Sequence, residues 1–369
     1  MHPDWISGVL IAFCGQNLVL AAALARAPAH AAANRCLALA LVVLVGMTSV
    51  HVLGWTGRVE VAPALAFLPV KLPLALGPLL YGYIHGLIRG RSAPRAVLHL
   101  LPAIVHFAYL TTILLLPADV RLAWKDDVHD DLIKPAIEAA VLVSLTAYGL
   151  AGLRLLRRYR TWLAQVRSDA DRYGARWIGQ VLVALMATQG MLAGVRLYTW
   201  SVGELDTGWM QIWLAVFGAF IGVQGWRCSE RSFPRMEVLP QPAADPAQDW
   251  AALGRDWRGR TQAQGWWREP DLTLADLARR LGTNAGYLSR AVNDGLGVNF
   301  NEMINRMRAE EVARRIDAGD GAPLTRIAME AGFRSKATFN RAFRAVYGLS
   351  PSARRRAAQI ANSSRRLTI

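Results

Sequence analysis

Cysteine is scarce in this chain. Its 369 residues hold three, at positions 14, 36 and 228, with no CxxC pair among them. That spacing builds neither a disulfide framework nor a zinc site, so no metal and no cofactor is expected. Catalytic motifs are lacking as well: there is no P-loop, no HExxH, no GxSxG and no kinase signature. Nothing calls for a catalytic residue, and the chain is not expected to be an enzyme. Residues 1–4 carry no basic n-region, which makes a cleaved signal peptide a poor fit. Acidic residues are outnumbered, 27 Asp and Glu against 42 Lys and Arg, for a net charge of +15. Nearly all of the positive charge is Arg, which suits bidentate contacts to phosphate and guanine. GC-rich coding also enriches Arg, so the excess alone identifies no partner.

What the chain has in quantity is apolar sequence, 53% hydrophobic overall and concentrated before Arg227. About seven segments approach the spanning length of ~20 residues. They are Trp5–Arg26, Cys36–Trp55, Ala64–Ile88, Ala96–Leu116, Pro135–Leu156, Trp177–Trp200 and Trp209–Trp226. A large buried helical core would need fewer uninterrupted runs, so a multi-span membrane domain is expected over residues 1–228. Its loops alternate in charge. Arg26 and Arg35 follow the first segment, Arg89, Arg91 and Arg95 the third, and Arg154, Arg157, Arg158, Arg160, Arg167, Arg172 and Arg176 the fifth. The loop Pro117–Lys134 holds Asp119, Asp126, Asp127, Asp130 and Asp131, and Glu204 and Asp206 precede the last segment. The positive-inside rule then puts the N-terminus outside and the C-terminus in the cytoplasm, as an odd number of spans requires. Trp5, Trp55, Trp177, Trp200, Trp209 and Trp226 fall at segment ends, like an interfacial belt.

Ionisable residues inside such segments are candidates for function. Lys71, Glu138 and Arg196 all lie toward the outer ends and define a candidate signal pocket; mutual pairing or snorkelling is the alternative. His51, His85, His99 and His106 are scattered over three segments without metal-site spacing and suit hydrogen bonds between helices. The run Gly77–Tyr81, GPLLY, marks a kink or close packing.

Residues 229–247 hold Pro234, Pro240, Pro242 and Pro246 and read as a linker. A helix is expected between Gln248 and Trp267, with Trp250, Leu253 and Trp257 on one face. It either caps the domain that follows or pairs with a second chain. That domain, residues 248–369, holds two copies of one device. Leu277-Ala278, Leu281-Gly282 and Leu288–Val292 form the first copy. Ile327-Ala328, Ala331-Gly332 and Phe339–Phe343 form the second. Each reads as two short helices crossing at a turn that contains glycine. Thr283 and Ser335 are placed to cap the second helix of each copy, and Thr273 the first helix of the first. Phe300, Met303, Ile304, Met307 and Ile316 recur at helical spacing and predict a connecting helix. Beyond Pro351 lies a basic tail with Arg354, Arg355, Arg356, Arg365 and Arg366.

The run 324–351, LTRIAMEAGFRSKATFNRAFRAVYGLSP, resembles the C-terminal signature of AraC/XylS-type transcription regulators. The resemblance extends over Glu269–Arg356, and GPLLY is more weakly similar to the membrane half of membrane-bound members. It implies two recognition helices in successive major grooves of double-stranded DNA. Carried onto matching positions, it implies DNA contacts from Ser289 and Arg290 in the first unit and from Lys336, Thr338, Asn340 and Arg341 in the second. Gly286 stands where the family often has a larger contact residue, so the first unit is expected to grip phosphates. Phe333, Phe339 and Phe343 are assigned to the core. The expected architecture is all-α: a polytopic transmembrane bundle of about seven spans, then a cytoplasmic tandem helix-turn-helix domain with its core at 269–356. The expected function is sequence-specific regulation of transcription from the bacterial inner membrane. Its expected partners are DNA, the lipid bilayer and an unknown signal ligand, with a homodimer left open. The alternative is a passively anchored scaffold whose helix-turn-helix units bind protein.

Overall fold

The computed structural model describes residues 4–53, 67–173, 176–202, 208–230, 233–237 and 248–366. Among these every regular element is a helix. Two compact units form. One comprises residues 1–157 and 175–235, the other residues 158–174 and 236–369. The expected division ran strictly along the chain. Here a short internal stretch, 158–174, groups with the C-terminal residues.

In the first unit, α1 (Asp4–Arg26) packs on α2 (Ala31–Leu53) and on α8 (Gly208–Ser229), and α2 packs on α3 (Leu76–Arg89). Small residues allow the approach. A Cβ at Gly225 of α8 would stand 2.1 Å from a Leu37 methyl, and one at Gly86 of α3 would stand 3.0 Å from Ala33 backbone. A Cβ at Gly77, in the GPLLY run, would stand 2.9 Å from the Tyr148 ring, the close packing expected there. Helix α4 (Ala96–Leu114) turns Val97, Leu98, Leu101, Ile104 and Val105 outward, so its apolar side chains are left uncovered by protein. His99 makes the expected bond between helices, its Nδ1 lying 2.9 Å from the Tyr148 hydroxyl. His85 Nδ1 lies 3.1 Å from the Arg91 carbonyl, in the turn after its own helix, and buried His106 Nδ1 has no hydrogen-bond partner among the described residues. The His51 side chain lies outside the described residues.

Five helical stretches among the described residues are long and apolar enough to cross a membrane: Ile6–Arg26, Ala31–Val50, Ala96–Leu114, Ala118–Val166 and Ala170–Val195. The expected third span, Ala64–Ile88, is instead a 14-residue helix, α3, about 21 Å long at ~1.5 Å per residue. Pro69 in a turn, Lys71 in irregular chain and Pro73 in a 3-10 turn precede it, and residues 64–66 lie outside the described set. Helix α8 has the length, at 22 residues, but Gln211, Gln224 and three Trp dilute its hydropathy. The expected loop Pro117–Lys134 is helical: α5 (Ala118–Trp124) runs through a π-helical turn into α6 (Lys134–Val166). Arg121 holds its start by donating to the Leu114 carbonyl at 2.9 Å, and Trp124 Nε1 donates to the Tyr109 hydroxyl at 3.2 Å. After α7 (Arg176–Ser201) and α8, Phe233 of the expected linker meets the His30 ring at 6.4 Å, edge to face. Residues 238–247 of that linker lie outside the described residues, as do the side chains of Trp5, Trp55, Trp200 and Trp209.

The second unit has a single core. It draws Trp257 from α9 (Trp250–Ala263), then Trp267, Leu277 and Leu281, then Phe300, Met303, Ile304, Met307 and Ile316 from α12 (Phe300–Asp317). The five apolar residues that predicted a connecting helix are all buried in that one helix. Asn299 starts it with a capping box closed by Glu302. Helix α9 lies on the first unit of the tandem, with Gly254 against the Ala291 carbonyl and Gly295 against the Trp250 backbone. That is the capping arrangement. The C-terminal α15 (Pro351–Arg366) is fastened to α12 by Arg354, which donates to both Asp317 oxygens at 3.0 and 2.6 Å. Part of the expected basic tail is thus internally paired; the Arg365 and Arg366 side chains lie outside the described residues.

Candidate nucleic-acid interface

Two helix pairs build the interface. In the first, α10 (Leu274–Leu281) is capped by Thr273, whose Oγ1 accepts the Asp276 amide at 3.1 Å. Gly282 ends α10 in the left-handed region at φ +72, which favours glycine. The second helix, α11 (Ala285–Arg290), is capped by Asn284, accepting from the Tyr287 amide at 2.9 Å, and not by Thr283 as expected. The Thr283 amide closes the Gly282 turn onto the Ala278 carbonyl at 2.9 Å, which places the cap one residue later. In the second pair, α13 (Leu324–Glu330) buries Ile327 and Ala328 and leads through Gly332, at φ +91, to α14 (Lys336–Tyr347). Ser335 caps α14 as expected, accepting the Thr338 amide at 3.1 Å.

Core packing decides which face of α14 looks outward. Phe333, Phe339, Phe343 and Tyr347 form an aromatic ladder with centroid spacings of 5.4, 5.8 and 4.8 Å. Phe333, Phe339 and Phe343 are buried, so the opposite face presents Lys336, Arg341 and Arg344 to solvent, with Asn340 half-buried at its edge. Lys336, Asn340 and Arg344 make no side-chain hydrogen bond or ion pair with other described residues, so their donors are free. Arg344 belongs to this face and was not among the sequence candidates; its position, three residues after Arg341, is the signal that finds it.

The first unit's candidates are held differently. Ser289 Oγ accepts from Asn293 Nδ2 at 3.2 Å. Arg290 donates to Asp294 at 3.1 Å and lies 4.6 Å from the Trp250 ring centroid. Gly286 is buried, so that position faces the domain's interior. In the second unit, Thr338 and Arg341 already have a partner. Thr338 Oγ1 donates to Asp171 at 3.0 Å, and the Arg341 guanidinium is paired with the same carboxylate. Nothing local to α14 announces Asp171, which lies in the stretch 158–174.

Behind the face sits Arg308 of α12, 2% exposed and equally unanticipated. It donates to the Trp267 carbonyl at 2.8 Å, to Asn305 Oδ1 at 3.2 Å, to the Glu269 carbonyl at 2.6 Å and to Ser168 Oγ at 3.2 Å. Burial lowers its pKa to about 10, so it stays charged at neutral pH. It ties the chain before α10 to the connecting helix.

The three residues of the candidate signal pocket lie on separate elements. Lys71 stands in irregular chain ahead of α3, and Glu138 is half-buried on α6. Arg196 is on α7, but its side chain lies outside the described residues. Among the described residues no group of three or more His, Cys, Asp and Glu gathers to hold a metal ion.

Comparison with known proteins agrees with this geometry. Residues 277–357 match the family described as a helix-turn-helix domain. No curated protein matches the chain. Among solved structures, the C-terminal domain of AraT, a response regulator from Geobacillus stearothermophilus, is similar at 28% identity. The likeness covers 30% of this chain and 88% of that one, with a TM-score of 0.26, too low to bear on the fold. The matched span opens with Leu277 of α10 and closes on α15, so it takes in both helix pairs and the connecting helix. Residues 277–357 are accordingly an AraC-type helix-turn-helix domain.

Proposed function

We propose that the chain is a membrane-embedded, sequence-specific transcription regulator. Its C-terminal domain reads DNA in the cytoplasm, and its apolar helices hold it in the bacterial inner membrane with the N-terminus outside. The observation that carries the DNA half is the outward face of α14. Lys336, Asn340, Arg341 and Arg344 are set there on one helix whose other face is locked in the core. Arg or Lys suits guanine O6 and N7, Asn suits adenine, and the remaining cations suit phosphates. In the first unit, Arg290 is drawn back onto Trp250 and Asp294, which favours a phosphate grip there over base reading. The membrane half is supported by five long apolar helices, by uncovered apolar side chains on α4, and by the alternating Arg-rich and acidic connections. A polar or charged signal acting near Lys71 and Glu138 would alter bundle packing or pairing of two chains, and the chain would pass this to α14.

The test is occupancy of chromosomal sites by the full chain in cells, with fractionation of the same cells. Discrete occupied sites that vanish for Arg341→Ala, with the protein in the membrane fraction, are expected. Membrane recovery without site-specific occupancy would overturn the DNA half. Site-specific occupancy by a protein found in the soluble fraction would overturn the membrane half.

A further inference from the structure

Residues 158–174, the last turns of α6 and the stretch leading toward α7, pack with the DNA-binding domain. Their anchorage is specific. The Ser168 amide donates to the Leu272 carbonyl at 3.1 Å. The Asn301 side chain donates to the Arg167 and Ser168 carbonyls at 3.1 and 2.8 Å, and the buried Arg308 donates to Ser168 Oγ at 3.2 Å. Asp169, its side chain 3% exposed, accepts from Arg167 at 2.7 Å. These bonds fix the backbone just before Asp171, and Asp171 takes Thr338 and Arg341 together. Both residues belong to the helix read above as the DNA-contacting one. A phosphate oxygen or a guanine edge would draw on the same donors, and a carboxylate already in place repels an approaching phosphate.

We propose that Thr338 and Arg341 on the outward face of α14 have two rival occupants, DNA and Asp171, the tip of the docked segment 167–171. The inference rests on the reading of α14 as a DNA-contacting helix. Asp171 brings to these donors the kind of acceptor oxygen that a DNA phosphate would bring. Release does not require unfolding. The Asp171 pair borders a cleft of about 430 Å³ lined by Asn301, Glu302, Arg306, Thr338 and Arg341, so water reaches it. Apparent affinity for DNA then scales with the fraction of undocked chains. Because the same segment continues α6 and leads to α7, a change in those helices is passed along the chain to Asp171, and from there to α14 through its ion pair with Arg341.

The experiment uses the full chain in lipid nanodiscs and a duplex selected by that chain. Affinity is measured for wild type, Asp171→Ala, Arg341→Ala and the double variant. Hydrogen exchange at the Ser168 amide is followed with and without the duplex. Asp171 is on the surface, so its loss does not threaten folding. Asp171→Ala is expected to bind about two- to fivefold tighter, the range of an exposed ion pair. That gain should collapse in the Arg341→Ala background, and the duplex should speed Ser168 exchange. A gain that persists in the Arg341→Ala background would be bulk charge alone and would overturn the proposal. So would unchanged affinity, or Ser168 protection unaltered by bound duplex. If no variant prefers any sequence while Ser168 stays protected, the DNA reading itself fails and takes the rivalry with it, leaving only an internal dock.

Discussion

The two turn glycines should respond very differently to the same substitution. Gly282 and Gly332 occupy equivalent turns, at φ +72 and +91. Alanine at either position suffers left-handed strain of about 1–2 kcal/mol. It also gains about 0.4–1 kcal/mol by narrowing the unfolded ensemble. At Gly282 the new methyl meets nothing within 4 Å, so a net cost of about 1 kcal/mol or less follows. At Gly332 it would stand 2.5 Å from the Arg268 carbonyl oxygen and 3.0 Å from Arg308 Nε. That backbone cannot retreat freely, because the carbonyls on either side of Arg268, those of Trp267 and Glu269, hold the buried Arg308. Overpacking adds about 1–3 kcal/mol. The assay is hydrogen exchange of the Phe333 amide, bonded to the Ala328 carbonyl, and of the Thr283 amide, bonded to the Ala278 carbonyl. Gly332→Ala should raise local opening about five- to 150-fold more than Gly282→Ala raises its own, at ~1.4 kcal/mol per tenfold. Equal responses, or a larger one at Gly282, would refute the close approach.

Further predictions concern the interior, the caps and the DNA face. Arg308→Met should destabilise the second unit, by about 1–3 kcal/mol for each buried acceptor it strands, the Trp267 and Glu269 carbonyls and Asn305 Oδ1, and urea unfolding followed by the Trp257 and Trp267 fluorescence would read it. Asp276 has its pKa held below the ordinary 3.8, first by the Thr273 hydroxyl. Its folded pKa is depressed, so its contribution is complete above the unfolded value and is lost as pH falls through the folded one; Asp276→Asn should flatten the acid limb below about pH 4 in pH-dependent melting. Arg344→Ala should weaken binding evenly across sequences and lower the salt slope by about one unit, whereas Asn340→Ala should relax preference at one position, both read by fluorescence titration at several salt concentrations.

The sequence made the second unit legible because its signals are local. Apolar spacing placed Phe300, Met303, Ile304, Met307 and Ile316 in one buried helix, and short-range cap chemistry placed Thr273 and Ser335. Thr283 failed because Asn284 beside it is equally able to cap, and the Gly282 turn decided between them. Arg308 was invisible for another reason. It sits in a charged stretch that reads as a solvated helix face, and it is buried only because distant carbonyls and Ser168 converge on it. The Asp171 contact joins positions 170 residues apart and leaves no periodic trace. In the apolar half, composition marked the long helices. The Pro-interrupted stretch before Leu76 and the helical Pro117–Lys134 depend on backbone geometry that hydropathy does not record.

This chain is read as binding DNA with α14 on base edges and the first helix pair on phosphates. That reading is met most directly by letting the full chain, in nanodiscs, select from a pool of random duplexes. The expected result is a recovered motif with one well-defined half-site, whose preference is lost for Arg341→Ala. Recovery of unrelated sequences, held only by a salt-sensitive attraction equal for all of them, would contradict it.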